Sequence, residues 1–152
     1  MYVLLKITGV LLILLTSFLF GYLKSLSFKK RLIELKKILS GSERLKEYIE
    51  NCPTEIESIY TSCYGNCSDI QYKNCKICAK QGLITKEDCE LLNEFFTSLG
   101  TFDLKSECAH INLYIELIKK QISSAEPEAN EGSKIWQTCS ICVGIGIAIL
   151  II

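Results

Sequence analysis

The side chains best placed for chemistry lie in FFTSLGTFDLKSECAHI, Phe95 to Ile111. This stretch holds the single histidine of the chain, His110, with Glu107 three residues before it and Asp103 seven before. Glu-x-x-His on a helix is half of a carboxylate-bridged di-metal site. A complete site needs the pair twice, plus two further inward-facing glutamates. With one histidine the ligand set stays incomplete. A bland reading explains the same residues. Leu99 is the last apolar residue of one helix, and Gly100 follows where a left-handed cap favours glycine. Asp103 then stands at the start of the next helix, where a carboxylate accepts an orphan amide and meets the positive helix end favourably. Asp103, Glu107, His110 and Tyr114 form a stripe, turned about 100° or slightly more from the apolar seam of that helix. They are expected to form a helix joint or a partner surface, with no catalytic or metal role.

The nine cysteines offer a second chemistry. Cys63, Cys67, Cys75 and Cys78 have a loose four-thiolate zinc spacing. A disulfide framework is the rival; it needs an oxidising compartment, and an odd count leaves one thiol over. In a reducing cytoplasm the same residues are small buried hydrophobes, and Cys108 within an apolar seam is of that kind. Cys139 and Cys142 lie in an apolar run and read as packing. No glycine-rich phosphate loop and no nucleophile beside a base is visible. Neither an enzyme nor a cofactor is expected. The balance of 17 basic and 17 acidic residues gives nucleic acid no reason to bind.

The elements that position these residues follow from where the charges fall. Met1 to Leu23 carries one charged side chain, Lys6, and Ile135 to Ile152 carries none. The ends read as an N-terminal transmembrane anchor, residues 1–23, and a C-terminal transmembrane helix, residues 135–152. Between them, residues 24–134 form one small domain. A cleaved signal peptide is the rival for the first segment, but Phe18, Leu19 and Phe20 stand where small residues would close it. Ser17 and Gly21, and Gly144 and Ala148, are small residues four apart. Such pairs let helices approach closely, though small residues are common in membrane helices anyway. Lys24, Lys29, Lys30, Arg31, Lys36 and Lys37 follow the first anchor, and Lys119, Lys120 and Lys134 precede the second. The positive-inside rule then places the middle in the cytoplasm and both termini outside.

The middle predicts an all-α fold, a small antiparallel helical bundle. A first helix runs from Ser27 to about Glu50 on Phe28, Leu32, Leu35, Leu39, Leu45 and Ile49, with Gly41 and Ser42 weakening its centre. A capping box at Thr54 opens a short second helix ending near Tyr64. Ser68 caps a third, to Gly82. Thr85 with Asp88 opens a fourth, carrying Leu92, Phe95 and Leu99. The last soluble helix has its seam at Leu104, Cys108, Ile111, Ile115, Ile118, Ile122 and Ala125. Pro127 breaks or kinks it.

Taken together, these features resemble the stage III sporulation protein AB family of endospore-forming bacteria. The resemblance covers nearly the whole chain and is carried by LLKITGVLLILL, by LLNEFFTSLGTFDLKSECAHINL and by KIWQTCSICVGIGIAILII. The family has Leu-Gly, then Asp, Gln and His at the positions of Leu99-Gly100, Asp103, Glu107 and His110. Glu107 thus replaces a glutamine. The segment from Cys52 to Gly82 is shorter and richer in cysteine than the family leads one to expect. The resemblance implies a scaffold in the mother-cell membrane facing the forespore, part of a channel resembling specialised secretion systems. It also implies a soluble part similar to the cytoplasmic domain of the type II secretion system F protein. The implied partners are other stage III sporulation complex proteins, among them the secretion-type ATPase, and the membrane. The alternatives are a membrane-tethered, disulfide-stapled extracytoplasmic binding domain and a cysteine-based zinc-binding regulator.

Overall fold

The computed structural model describes residues 2–51, 56–73, 76–101 and 103–151. In chain order they form α1 (Tyr2–Asn51), α2 (Ile56–Tyr64), strands β1 (Ile70–Lys73) and β2 (Lys76–Ala79), α3 (Lys86–Ser98), α4 (Leu104–Pro127), a π-helical turn (Glu128–Gly132) and α5 (Ser133–Ile151). Helices dominate, and the two strands make one small antiparallel hairpin. The chain divides into two compact units. One combines the chain up to Lys29 with the residues from Glu126 on, and the other is Lys30–Ala125. The helical pair of the first unit therefore reaches several residues past the apolar runs at 7–23 and 135–151.

In the first unit α1 and α5 run antiparallel, packed through small residues. A Cβ added at Gly21 would lie 2.8 Å from the Ser140 Oγ and 3.3 Å from the Gln137 Cα; one at Gly144 would lie 2.9 Å from the Ser17 Cβ. Ala148 is buried, and the hydroxyls of Ser25 and Ser133 are hydrogen-bonded to each other. The small residues seen in the sequence thus face one another, with Ser140 as an unanticipated member. Leu11, Leu12, Leu15, Phe18, Leu19, Leu23, Ile135, Val143 and Ile149 point outward. Both α1 and the continuous helical stretch through α5 contain segments long and apolar enough to cross a membrane.

In the second unit Leu35, Ile38 and Leu45 of α1 pack with Tyr64, Ile70, Ile77, Ile84, Leu92, Phe95, Phe96, Ile111, Ile115, Ile118 and Ile122. Gly41 and Ser42 do not interrupt α1. Gly41 admits the end of α2: an added Cβ would fall 2.6 Å from the Cys63 carbonyl oxygen. Ser42 Oγ bonds to the Ile38 carbonyl at 3.0 Å and to the Tyr64 hydroxyl at 2.9 Å. Burial, opposed by that hydrogen bond, pushes the Tyr64 phenol well above its ordinary pKa.

The third helix expected over Ser68–Gly82 is instead the hairpin. Ile70 pairs with Ala79, Gln71 with Cys78, Tyr72 with Ile77 and Lys73 with Lys76. Ile70, Ile77 and Ala79 turn inward, while Tyr72 stacks on Tyr60 at 5.5 Å. Strands of four residues are too short to show a clear period of two against a helical one. The capping box expected at Thr54 and the Cys75 thiol fall outside the described residues. At Pro127 the α-helix is interrupted by the π turn rather than by a loop, and the Ser133 amide reaches back five residues to the Glu128 carbonyl.

Candidate functional site

α3 begins as its sequence requires. Thr85 is its N-cap and accepts from the Asp88 amide at 3.3 Å, while the Asp88 carboxylate takes the Thr85 amide at 3.0 Å. The helix ends at Ser98; Leu99 is extended and half-buried, and Gly100 has φ +80. α4 then begins, and the Asp103 carbonyl accepts its first bond from the Glu107 amide at 2.8 Å. Asp103 itself is exposed.

The stripe on α4 closes against α3. Glu107 is 5 % exposed, and its Oε1 accepts the Gly100 amide at 3.0 Å. His110 Nε2 lies 3.2 Å from the Ser98 Oγ. The His110 ring sits 6.3 Å from Phe95 and 4.8 Å from Tyr114, and Tyr114 lies 4.9 Å from Phe95. Burial and the nearby Glu94 carboxylate push the Tyr114 phenol above its ordinary pKa. Leu99, Gly100, Glu107, His110 and Tyr114 therefore meet at one helix joint, with Asp103 at its rim.

Two expectations change here. Glu107 and Tyr114 are buried residues of α4 rather than a stripe turned away from its seam. Cys108 is only half-buried; the Leu104 side chain is outside the described residues. The reason is specific: a main-chain amide from the turn satisfies one Glu107 oxygen, which makes its burial tolerable. The second oxygen, Oε2, is buried without a hydrogen-bond partner among the described residues.

Glu107→Gln is therefore expected to leave thermal stability equal or raise it by up to about 1 kcal/mol, because the Gly100 acceptor is kept and a desolvated charge is removed. Glu107→Ala, which strands that amide, is expected to cost about 1–3 kcal/mol. Thermal melts of the purified protein check both; a glutamine variant as unstable as the alanine one would refute the assignment.

Sequence reasoning missed two further buried acids with the same habit. Glu34 of α1 is 1 % exposed and takes the Ser68 amide and, at 3.2 Å, the Asp69 amide. Lys37 reaches its other oxygen at 3.3 Å. Asp69 is also buried; its Oδ2 accepts from the Leu83 amide at 2.5 Å and the Ile84 amide at 2.8 Å. Gly82 leaves room for it, since an added Cβ would collide with the Asp69 Oδ1. These acids hold the irregular chain between α2 and α3 in place.

Cys63, Cys67, Cys78, Cys89, Cys108, Cys139 and Cys142 are free thiols; Cys52 and Cys75 lie outside the described residues. Burial pushes the Cys63 thiol up, against the pull of Arg44. Burial, with Glu34 nearby, pushes Cys67 up to about 11. Such thiols stay protonated at neutral pH, as small buried packing residues do. Cys89 donates to the Ala79 carbonyl at 3.3 Å, tying α3 to β2. Among the described residues no group of three or more histidine, cysteine or acidic side chains is placed to hold a metal ion.

In comparison with known proteins, the family model for stage III sporulation protein AB matches residues 64–152. That match spans α3, the Leu99–Tyr114 joint, α4 and α5. No curated protein and no solved structure matches the chain.

Proposed function

The chain belongs to the stage III sporulation protein AB family, and from that premise we propose that it is a non-enzymatic membrane scaffold of the channel between mother cell and forespore. A role in stage III sporulation follows from the family, which is a sporulation structural family and not a known enzyme family. The finer reading is that the α1–α5 pair spans the mother-cell membrane. The helical unit lies in the cytoplasm and contacts other stage III sporulation proteins, the secretion-type ATPase among them.

One observation carries the scaffold reading. The buried acids Glu34, Asp69, Asp88 and Glu107 each accept main-chain amides at irregular chain between elements. They tie that chain to the helices around it, which suits a platform for other proteins. The positive run from Lys24 to Lys37 supports the cytoplasmic side.

Deletion of the gene in its own organism is expected to arrest sporulation after engulfment, with small or collapsing forespores. Complementation restores spores, and affinity capture of the complemented protein brings down the ATPase. Normal spores from a strain without a second copy would overturn the channel role; arrest without ATPase capture would overturn that partner alone.

A further inference from the structure

Where α1 and α5 leave the apolar zone, the first unit has a half-open cavity of about 380 Å³, lined by Lys29, Ala129, Asn130, Ser133, Lys134 and Gln137. Its lining carries two cations from two helices and no carboxylate. Neither ammonium group forms an ion pair among the described residues, and Glu128 and Glu131 of the π turn do not line the cavity.

Lys29 of α1 and Lys134 of α5, both exposed, line the same cavity. Ser133 is buried, and its bond to Ser25 ties α5 to α1 at this level. One turn into the pair, Gly21 lets the α5 backbone approach at Gln137. The π turn brings Ala129 and Asn130 into the lining, and such turns often accompany binding sites. Two like charges beside one cavity repel each other, and an anion seated between them reverses that repulsion.

We propose that this cavity seats a phosphate group, supplied by the headgroup of an anionic phospholipid. The inference rests on the membrane-spanning reading above. Lys134 immediately precedes the apolar run at 135–151, and Lys29 stands about 9 Å beyond Leu23 along α1. Both ammonium groups thus fall at headgroup depth, where lysine next to a membrane helix attracts anionic lipid. Trp136, exposed in the first turn of α5, is a side chain that favours the same layer. Asn130 and Gln137 add amide donors for the phosphate oxygens.

The test uses the full-length protein in uncharged detergent. Native mass spectrometry reads retention of added phosphatidylglycerol, phosphatidylcholine or free glycerol phosphate. Phosphatidylglycerol is expected to be retained over phosphatidylcholine. The double variant Lys29→Gln with Lys134→Gln is expected to weaken retention about 10–30-fold. Lys105→Gln with Lys120→Gln, an equal charge change away from the cavity, is expected to leave it unchanged. Equal retention by both double variants, or of both lipids, would overturn the site. Binding of glycerol phosphate as tight as that of the lipid would overturn the lipid source. Carbonate extraction of cell membranes reads the underlying assumption separately. Release of the protein would sink the membrane reading, whereas a protein that stays integrated yet ignores phosphatidylglycerol would sink the phosphate seat alone.

Discussion

Asp88→Ala is expected to lower the stability of the helical unit by about 3–5 kcal/mol, the cost of breaking a buried ion pair from one side. Asp88 is 1 % exposed and serves two partners. The Arg31 guanidinium grips it with two donors, Nε at 2.9 Å and Nη2 at 3.2 Å, bridging α1 to α3. Its Oδ2 also holds the Thr85 amide at 3.0 Å. Alanine removes the fork's acceptor and half the capping box together. Asp88→Asn keeps an amide oxygen as acceptor but not the charge, and is expected to lose clearly less than alanine. Burial opposes ionisation of Asp88, but the bonds from Arg31 and Thr85 outweigh it and hold the carboxyl below its ordinary value of 3.8. The folded pKa is therefore the lower one. The stability this group adds is complete above about pH 4 and is lost as pH falls through the folded value. Urea denaturation at pH 7 and at descending acid pH measures both effects. An alanine variant within about 1 kcal/mol of the parent at neutral pH, or one that keeps the parent's full acid sensitivity, would be the contrary result.

Phe95→Ala is expected to cost a similar amount, about 3–5 kcal/mol, for a different reason. Phe95 is fully buried at the centre of an aromatic chain. Its ring lies 4.9 Å from Tyr114, 5.3 Å from Phe96 and 6.3 Å from His110, and Phe96 in turn meets Tyr64 edge-on at 5.3 Å. Truncation opens a void at the centre of the α3–α4 joint and loosens the aromatic chain that reaches α2. Leucine refills most of that volume, so Phe95→Leu is expected to cost less than about 1.5 kcal/mol. Comparing the two melts separates packing from aromatic contact. Equal losses would show that the ring contacts, and not the filled volume, set the stability.

Much of this joint was legible because its signals are local. Thr85 and Asp88 are three residues apart and cap as their spacing predicts, and Leu99-Gly100 marks the helix end by a left-handed residue. The seam of α4 from Ile111 to Ala125 also follows its spacing. What the sequence concealed depends on partners far along the chain. Glu34 is buried because of amides at residues 68 and 69, and Asp69 because of amides at 83 and 84. Nothing in the neighbours of an acid announces such a partner, so acids are read as surface. Gly41 reads as a weak point of a helix, whereas the space its missing side chain leaves is filled by the end of α2. The hairpin was hidden by its brevity and by Lys73 and Lys76 facing each other, a like-charged cross-strand pair that sequence rules disfavour.

The seam between α1 and α5 also has a schedule. Ser25 and Ser133 meet across 108 residues of chain. At ribosomal speed α1 is complete roughly 5–20 s before its partner face has been made. Throughout that interval Ser17, Gly21 and Ser25 form a notch with nothing from their own chain to fill it. Until then the notch is open to any helix that carries small residues at matching spacing. The arrival of Ser140 and Gly144 fills that notch from within the chain.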